Sequence, residues 1–255
     1  MDSTLTSAAH DLRQDARRAL TDLRETLGTA HSDDALRSRL RVANEDLDGL
    51  FLLVVLGEFN AGKSTLINAL LEADVMAEGV TPTTDRVTVL RYGEDAATSE
   101  SNGVVTRTLP LPALRDLAIV DTPGTNTVLS EHQALTEHFM PRADQVMFVT
   151  SADRPFTESE RRFLEAIAAW GKRVLLVVNK MDLLDDAPSG ALADVTAFVT
   201  RHARDTLHEP EPLVVPIAGR AARRAQQDGN AERLATSGLP DLERTLRDAL
   251  NDEER

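Results

Sequence analysis

From Phe51 onward, short apolar runs alternate with longer amphipathic stretches, the runs falling at 50–56, 87–92, 117–121, 145–150, 174–179 and 213–217. The runs at 50–56, 145–150 and 174–179 lack polar alternation, the pattern of a strand buried on both faces. Strand then helix, repeated, predicts an α/β fold with a mostly parallel central sheet and helices on both sides. Ligands of such sheets bind beyond the carboxyl ends of the strands, so chemistry is sought just after each run. The polar stretch 93–108 reads as a hairpin or surface loop. The stretch 220–233 reads as a solvated helix face carrying Arg220, Arg223, Arg224 and Arg233, and 238–250 as a capped final helix with Leu242, Leu246 and Leu250 on one stripe.

Residues 1–50 carry a different texture. Leu12, Ala16, Leu20, Leu23 and Leu27 recur at helical spacing, as do Leu36, Leu40, Ala43, Leu47 and Leu50. Gly28 and the pair Asp33-Asp34 break them into two helices, with Ser32 as a cap for the second. These helices either pack on the adjoining domain or form half of a bundle whose partner lies near the carboxyl end.

Composition narrows the partners. With 42 acidic residues against 28 basic ones the formal charge is -14, which disfavours non-specific attraction to nucleic acid or an anionic bilayer. There is no cysteine, which excludes disulfides and thiolate metal sites. The longest apolar run, Leu50 to Leu56, is far shorter than the ~18–20 residues of a membrane span. The amino terminus lacks the pattern of a secretory signal, so a cytoplasmic location is expected.

The chemistry begins directly after the first run. Gly57-Glu58-Phe59-Asn60-Ala61-Gly62-Lys63-Ser64 matches the phosphate-binding loop, in which two glycines let backbone amides fold around phosphate oxygens. Lys63 supplies a point charge to the β- and γ-phosphates, the Ser64 hydroxyl ligates Mg2+, and the helix from Thr65 adds the positive end of its dipole. Asn179-Lys180-Met181-Asp182 follows the fifth run, where a base-reading loop belongs. The Asp182 carboxylate can accept from the N1 and exocyclic amine hydrogens of guanine, which adenine cannot offer together. Asn179 and the stem of Lys180 brace that loop and cover the ring. Asp121-Thr122-Pro123-Gly124 ends another strand, with Asp121 placed to hold a metal-bound water and the Gly124 amide to contact the γ-phosphate. In Thr81-Pro82-Thr83-Thr84, Thr84 is favoured as a metal ligand and Thr83 is the other candidate. After the last run, the amide of Ala218 or Gly219 can reach the guanine carbonyl.

Together these elements predict a P-loop GTPase three-layer sandwich over residues 50–220. A helical segment, 1–49, precedes it. Carboxyl-terminal helices, 221–255, pack on it or pair with the amino-terminal ones. In order and spacing the motifs resemble those of translation-factor-like GTPases. The finer wording of GEFNAGKSTLINALL at 57–71, TPTT, and DTPGTNTVLSEHQALTEHFMPRADQVMFVTSADRPFTESE at 121–160 is similar to the bacterial dynamin-like proteins, relatives of dynamin and mitofusin. The resemblance covers roughly residues 50–220.

The resemblance, and not the residues by themselves, implies weak nucleotide binding and GTPase domains that dimerise face to face across GTP. It also implies hydrolysis without an external arginine finger. The glutamine of many small GTPases is absent, its place taken by Thr125. In the family's pattern Phe59 and Asn60 occupy the transition-state-stabilising part of the loop, and Asn60 acts directly or helps hold a monovalent cation. Two departures stand out. Ala218-Gly219 replaces the usual Ser-Ala of the last base loop. The family also continues into a long helical neck and trunk with a membrane-binding tip. Residues 1–50 and 239–255 are then neck remnants of an excised domain, or the chain is a natural short form. Membrane contact belongs to regions absent here, and no nucleic acid is expected as a partner. The alternative reading is a ribosome- or RNA-associated assembly GTPase, which the acidic charge disfavours.

Overall fold

The computed structural model describes residues 50–77, 86–101, 103–123 and 139–253. The expected helices of residues 1–49, the Thr81–Thr84 segment, and Gly124 with Thr125 lie outside the described residues. All six apolar runs are strands: β1 (Phe51–Gly57), β2 (Val87–Tyr92), β5 (Leu117–Asp121), β6 (Gln145–Ser151), β7 (Val174–Asn179) and β8 (Leu213–Pro216). Between β2 and β5 the polar stretch forms a hairpin, β3 (Ala97–Ser101) against β4 (Val104–Leu109). The helices are α1 (Lys63–Leu70), α2 (Glu158–Ala169), α3 (Ala191–Leu207), α4 (Gly219–Asp228), α5 (Ala231–Thr236) and α6 (Leu239–Glu253).

The eight strands form one sheet in the order β3-β4-β2-β5-β1-β6-β7-β8. The pairs β1–β6, β6–β7, β7–β8 and β2–β4 are parallel, while β2–β5 and β3–β4 are antiparallel. β1 and β7 are buried at every position, and all of β6 but Ser151. Their continuous Val, Leu and Phe runs are therefore what a strand covered on both faces requires. The core beneath them includes Leu53, Leu56, Leu66, Ile67, Phe148 and Leu164, all sealed from solvent.

After β1 the chain moves to one side of the sheet, and from β6 it moves to the other. Ligands of open α/β sheets lie at such a reversal of strand order. Right-handed crossovers from β6 to β7 and from β7 to β8 put α2 and α3 on one face, and the two helices pack together. On the other side α1 packs on α4 and α6, and α5 bridges α4 and α6. The single helix face expected over 220–233 is divided: α4 ends at Gly229, whose left-handed backbone stops it, and Asn230 caps α5 by accepting from the Arg233 amide at 3.0 Å. The final helix buries Leu239, Leu242 and Leu246.

Candidate functional site

The sharp turn at the end of β1 leads into α1 through Glu58, Phe59, Asn60, Ala61 and Gly62. The Ala61 amide donates to the Glu58 carbonyl at 3.3 Å, closing a turn whose exposed corner is Asn60, in the left-handed region at φ 63°. Gly62, at φ 93°, is the N-cap of α1. A Cβ there would come within 2.2 Å of the Asn179 amide nitrogen, so both backbone and space demand glycine. No side chain caps α1 and no acidic residue sits in its first turn. The amides of Lys63 and Ser64 are thereby left to an anion at the positive end of the helix.

Lys63 is 8% exposed. Its ammonium donates to the carbonyls of Gly57 at 3.0 Å and Glu58 at 3.1 Å. Burial pulls its pKa down, opposed by the negative charges of Asp121 and Glu58. Asp121 ends β5 at 1% exposure, and next to it Thr122 pins the strand end by donating to the Val55 carbonyl at 2.9 Å. A buried carboxylate at Asp121 and the Ser64 hydroxyl are hard oxygen donors of the kind Mg2+ takes. Among the described residues no cluster of three or more acidic or histidine side chains could hold a metal alone.

Asn179 ties the two ends of the site together. At 2% exposure, it donates through Nδ2 to the Ala61 carbonyl at 2.9 Å. Its Oδ1 accepts from the amides of Lys180 at 2.8 Å and Gly219 at 3.0 Å. One side chain thus fixes the phosphate loop, the Asn179–Asp182 loop and the β8–α4 loop in register. Lys180 takes a left-handed backbone at φ 63°, turning the chain into the 3₁₀ turn Met181–Leu184. The Met181 amide donates to the Ile217 carbonyl at 3.1 Å. Asp182 Oδ1 is buried and has no hydrogen-bond partner among the described residues. A buried acceptor without a donor is costly, and it leaves this oxygen able to accept from a ligand.

The two amides expected to reach the guanine carbonyl, those of Ala218 and Gly219, both have acceptors within the protein. The Ala218 amide donates to the Ser237 carbonyl at 2.9 Å, and that of Gly219 is taken by Asn179. The next one, of Arg220, lies in the first turn of α4, where helix geometry provides no intrahelical acceptor. The Ala-Gly spelling has its own reason. A Cβ at Gly219 would sit 2.9 Å from both Asn179 Oδ1 and Leu66 Cδ2.

Sequence reasoning also missed a contact of Glu58. Its carboxylate accepts from the Thr157 hydroxyl at 2.7 Å and from the Ser159 hydroxyl at the start of α2. Thr157 is the N-cap of that helix and forms a capping box with Glu160. The S/T-x-x-E spacing of the box was readable, but not that it faces the phosphate loop.

This arrangement is a guanine-nucleotide site on an α/β sheet. Residues 52–180 match the family model described as 50S ribosome-binding GTPase, and the chain belongs to that GTPase family. It is 40% identical over 213 residues to the probable transmembrane GTPase FZO-like, chloroplastic, of Arabidopsis thaliana, covering 80% of this chain and 23% of that protein. It is 30% identical over 185 residues to the bacterial dynamin-like protein of Nostoc punctiforme, covering 56% of this chain and 27% of the relative. The chain thus spans about a quarter of the length of these relatives. An oligomerised bacterial dynamin pair shares the fold with a TM-score of 0.66 at 18% identity, over 98% of this chain and 45% of that one. No helix among the described residues is long and apolar enough to cross a membrane.

Proposed function

We propose that this chain is the GTP-hydrolysing head of a dynamin-like protein, activated when two heads meet across their nucleotides. The observation that carries the reading is the Asn179 bridge from Ala61 to Gly219, with the unsatisfied buried oxygen of Asp182 beside it. A phosphate cradle and a guanine reader are held as one rigid unit, which is what nucleotide hydrolysis needs of its scaffold.

In this reading the amides of Ala61 to Thr65 and the Lys63 ammonium bind the phosphates. Lys63 exchanges its carbonyl acceptors for phosphate oxygens when GTP binds. Asp182 takes the two guanine donors, Lys180 covers the ring, and the Arg220 amide meets the guanine carbonyl. Mg2+ would be held by Ser64 and Thr84 directly and by Asp121 through water, and it neutralises charge on the phosphates when bound. Thr84 and Gly124 fix the attacking water and sense the γ-phosphate. Asn60, at the exposed corner of its turn, stabilises the transition state or helps hold a monovalent cation. Residues 1–49 and 221–255 flank the head as helical segments. Membrane remodelling and a membrane-peripheral place in the cytoplasm belong to the longer protein that the dynamin-like and FZO-like relatives suggest.

The test is hydrolysis by the purified chain. GTP is expected to turn over in the presence of Mg2+, with ATP at least ~100-fold poorer because the adenine edge leaves Asp182 unpaired. Lys63→Ala is expected to lose ~100-fold or more in kcat/KM. Equal turnover of GTP and ATP would refute the base assignment. The family description favours a second reading, a ribosome- or RNA-associated GTPase. Its signature would be salt-dependent RNA binding, against which a formal charge of -14 weighs.

A further inference from the structure

We propose that Glu58 is a positioning residue: its carboxylate, held by the Thr157 and Ser159 hydroxyls, fixes the turn that presents Asn60 to the phosphates. This deepens the GTPase reading above and rests on it. The turn from Glu58 to Ala61 is anchored at both ends. At Ala61 the anchor is the carbonyl bonded to Asn179. At Glu58 the backbone carbonyl accepts from the Ala61 amide and from Lys63. Lys63 must leave when it turns to a phosphate, and the side-chain contact with α2 is then what still holds this end to the scaffold. Phe59 and Asn60, between the two anchors, are half-buried and exposed respectively.

The other half of the contact is rigid. Thr157 Oγ1 donates to Glu58 and accepts the Glu160 amide at 3.2 Å, while Glu160 Oε2 accepts the Thr157 amide at 2.9 Å. Glu160, 2% exposed, is itself fastened by the Thr150 hydroxyl at 2.9 Å. Thr150 lies on β6, the strand that pairs with β1. The loop between Thr150 and Thr157 seats Phe156 against Ala152, Val178, Met181 and Val199, directly beneath the base-reading turn. The chain of contacts from Glu58 therefore ends in the same packing that supports Asp182.

Both hydroxyls donate to one oxygen, Glu58 Oε1. That makes the role separable from charge. A glutamine carbonyl can accept the same two hydrogen bonds, whereas an aspartate, one methylene shorter, cannot reach them. If Glu58 mattered only through its charge near Lys63, aspartate would serve and glutamine would fail.

The experiment compares steady-state GTP hydrolysis by the full chain and its Glu58→Ala, Glu58→Asp, Glu58→Gln, Ser159→Ala and Glu58→Ala/Ser159→Ala variants, with melting temperatures alongside. Ser159→Ala removes one donor and leaves the capping box intact. Expected are a loss of about ten-fold in kcat for Ala and Asp at unchanged KM and Tm, retention of most activity by Gln, and a smaller loss for Ser159→Ala. The double variant should be no worse than Glu58→Ala alone. The proposal is overturned if Gln is as impaired as Ala, if the two losses add, or if KM and Tm move together with kcat. Hydrolysis by the unsubstituted chain is measured first, and its absence would overturn the underlying GTPase reading instead.

Discussion

At the scale of single residues, the site depends on a few side chains whose polar atoms have no spare partners. Asp182 presents a buried oxygen with no donor among the described residues, so Asp182→Asn should both lose an acceptor and turn a donor toward the guanine amine. GTP affinity is expected to fall about 10- to 100-fold. Xanthosine triphosphate, which carries a carbonyl in place of that amine, should bind the variant better than GTP does. Competition titrations with the two nucleotides measure this directly. Gly219→Ala tests the brace instead. The added methyl must displace Leu66, sealed in the core, or Asn179, which holds three loops together. Overpacking of this kind costs about 1–3 kcal/mol, and a lower Tm should come with weaker GTP binding because Asn179 cannot move without disturbing its bond to the Ala61 carbonyl. An alanine variant with wild-type Tm and affinity would show that the contact relaxes freely.

At the scale of elements, the strands were legible and their cross-links were not. Each buried strand contains four to six consecutive apolar residues followed by a polar or glycine residue, and such a run can be found from the sequence. β3 reads Ala-Thr-Ser-Glu-Ser and is exposed throughout, so only its pairing with β4 makes it a strand. The phosphate loop and Asp182 could be found because backbone chemistry forces their spelling. Glu58 and Thr157 are 99 positions apart, and nothing local announces their contact. The same holds for the Ala218 and Gly219 amides, whose acceptors come from Ser237 and Asn179.

The α2 capping box also predicts a response to pH. Glu160 titrates from 4.5 in the unfolded chain up to about 7 in the fold. Burial is the main cause and Glu58 adds to it, while the Thr157 and Thr150 hydrogen bonds pull the other way. Between those values the native state binds the proton that the unfolded chain has released, so stability falls as pH rises. Glu160 therefore contributes fully below about 4.5, and its contribution is lost as pH passes about 7. Glu160→Gln should flatten the Tm profile between those limits, as followed by calorimetry, and an unchanged slope would place the titration elsewhere.

For the molecule as a whole, the question is what completes the catalytic apparatus. Position 125, which many small GTPases fill with glutamine, holds threonine. If a second copy supplies the missing constraint, activity follows mass action. The rate per molecule should rise in proportion to protein concentration well below the dimer Kd and reach a plateau above it. A rate per molecule that is flat from nanomolar to tens of micromolar would show that one head is sufficient. Asn60 separates assembly from chemistry within that curve. It lies at the exposed corner of the phosphate-loop turn, so Asn60→Ala is expected to lower the plateau by about 10- to 100-fold, the range for one preorganised polar group. If Asn60 acts on the phosphates, the concentration at half-plateau stays where it was. If it contacts the second copy instead, the midpoint moves to higher concentration and the plateau is recovered.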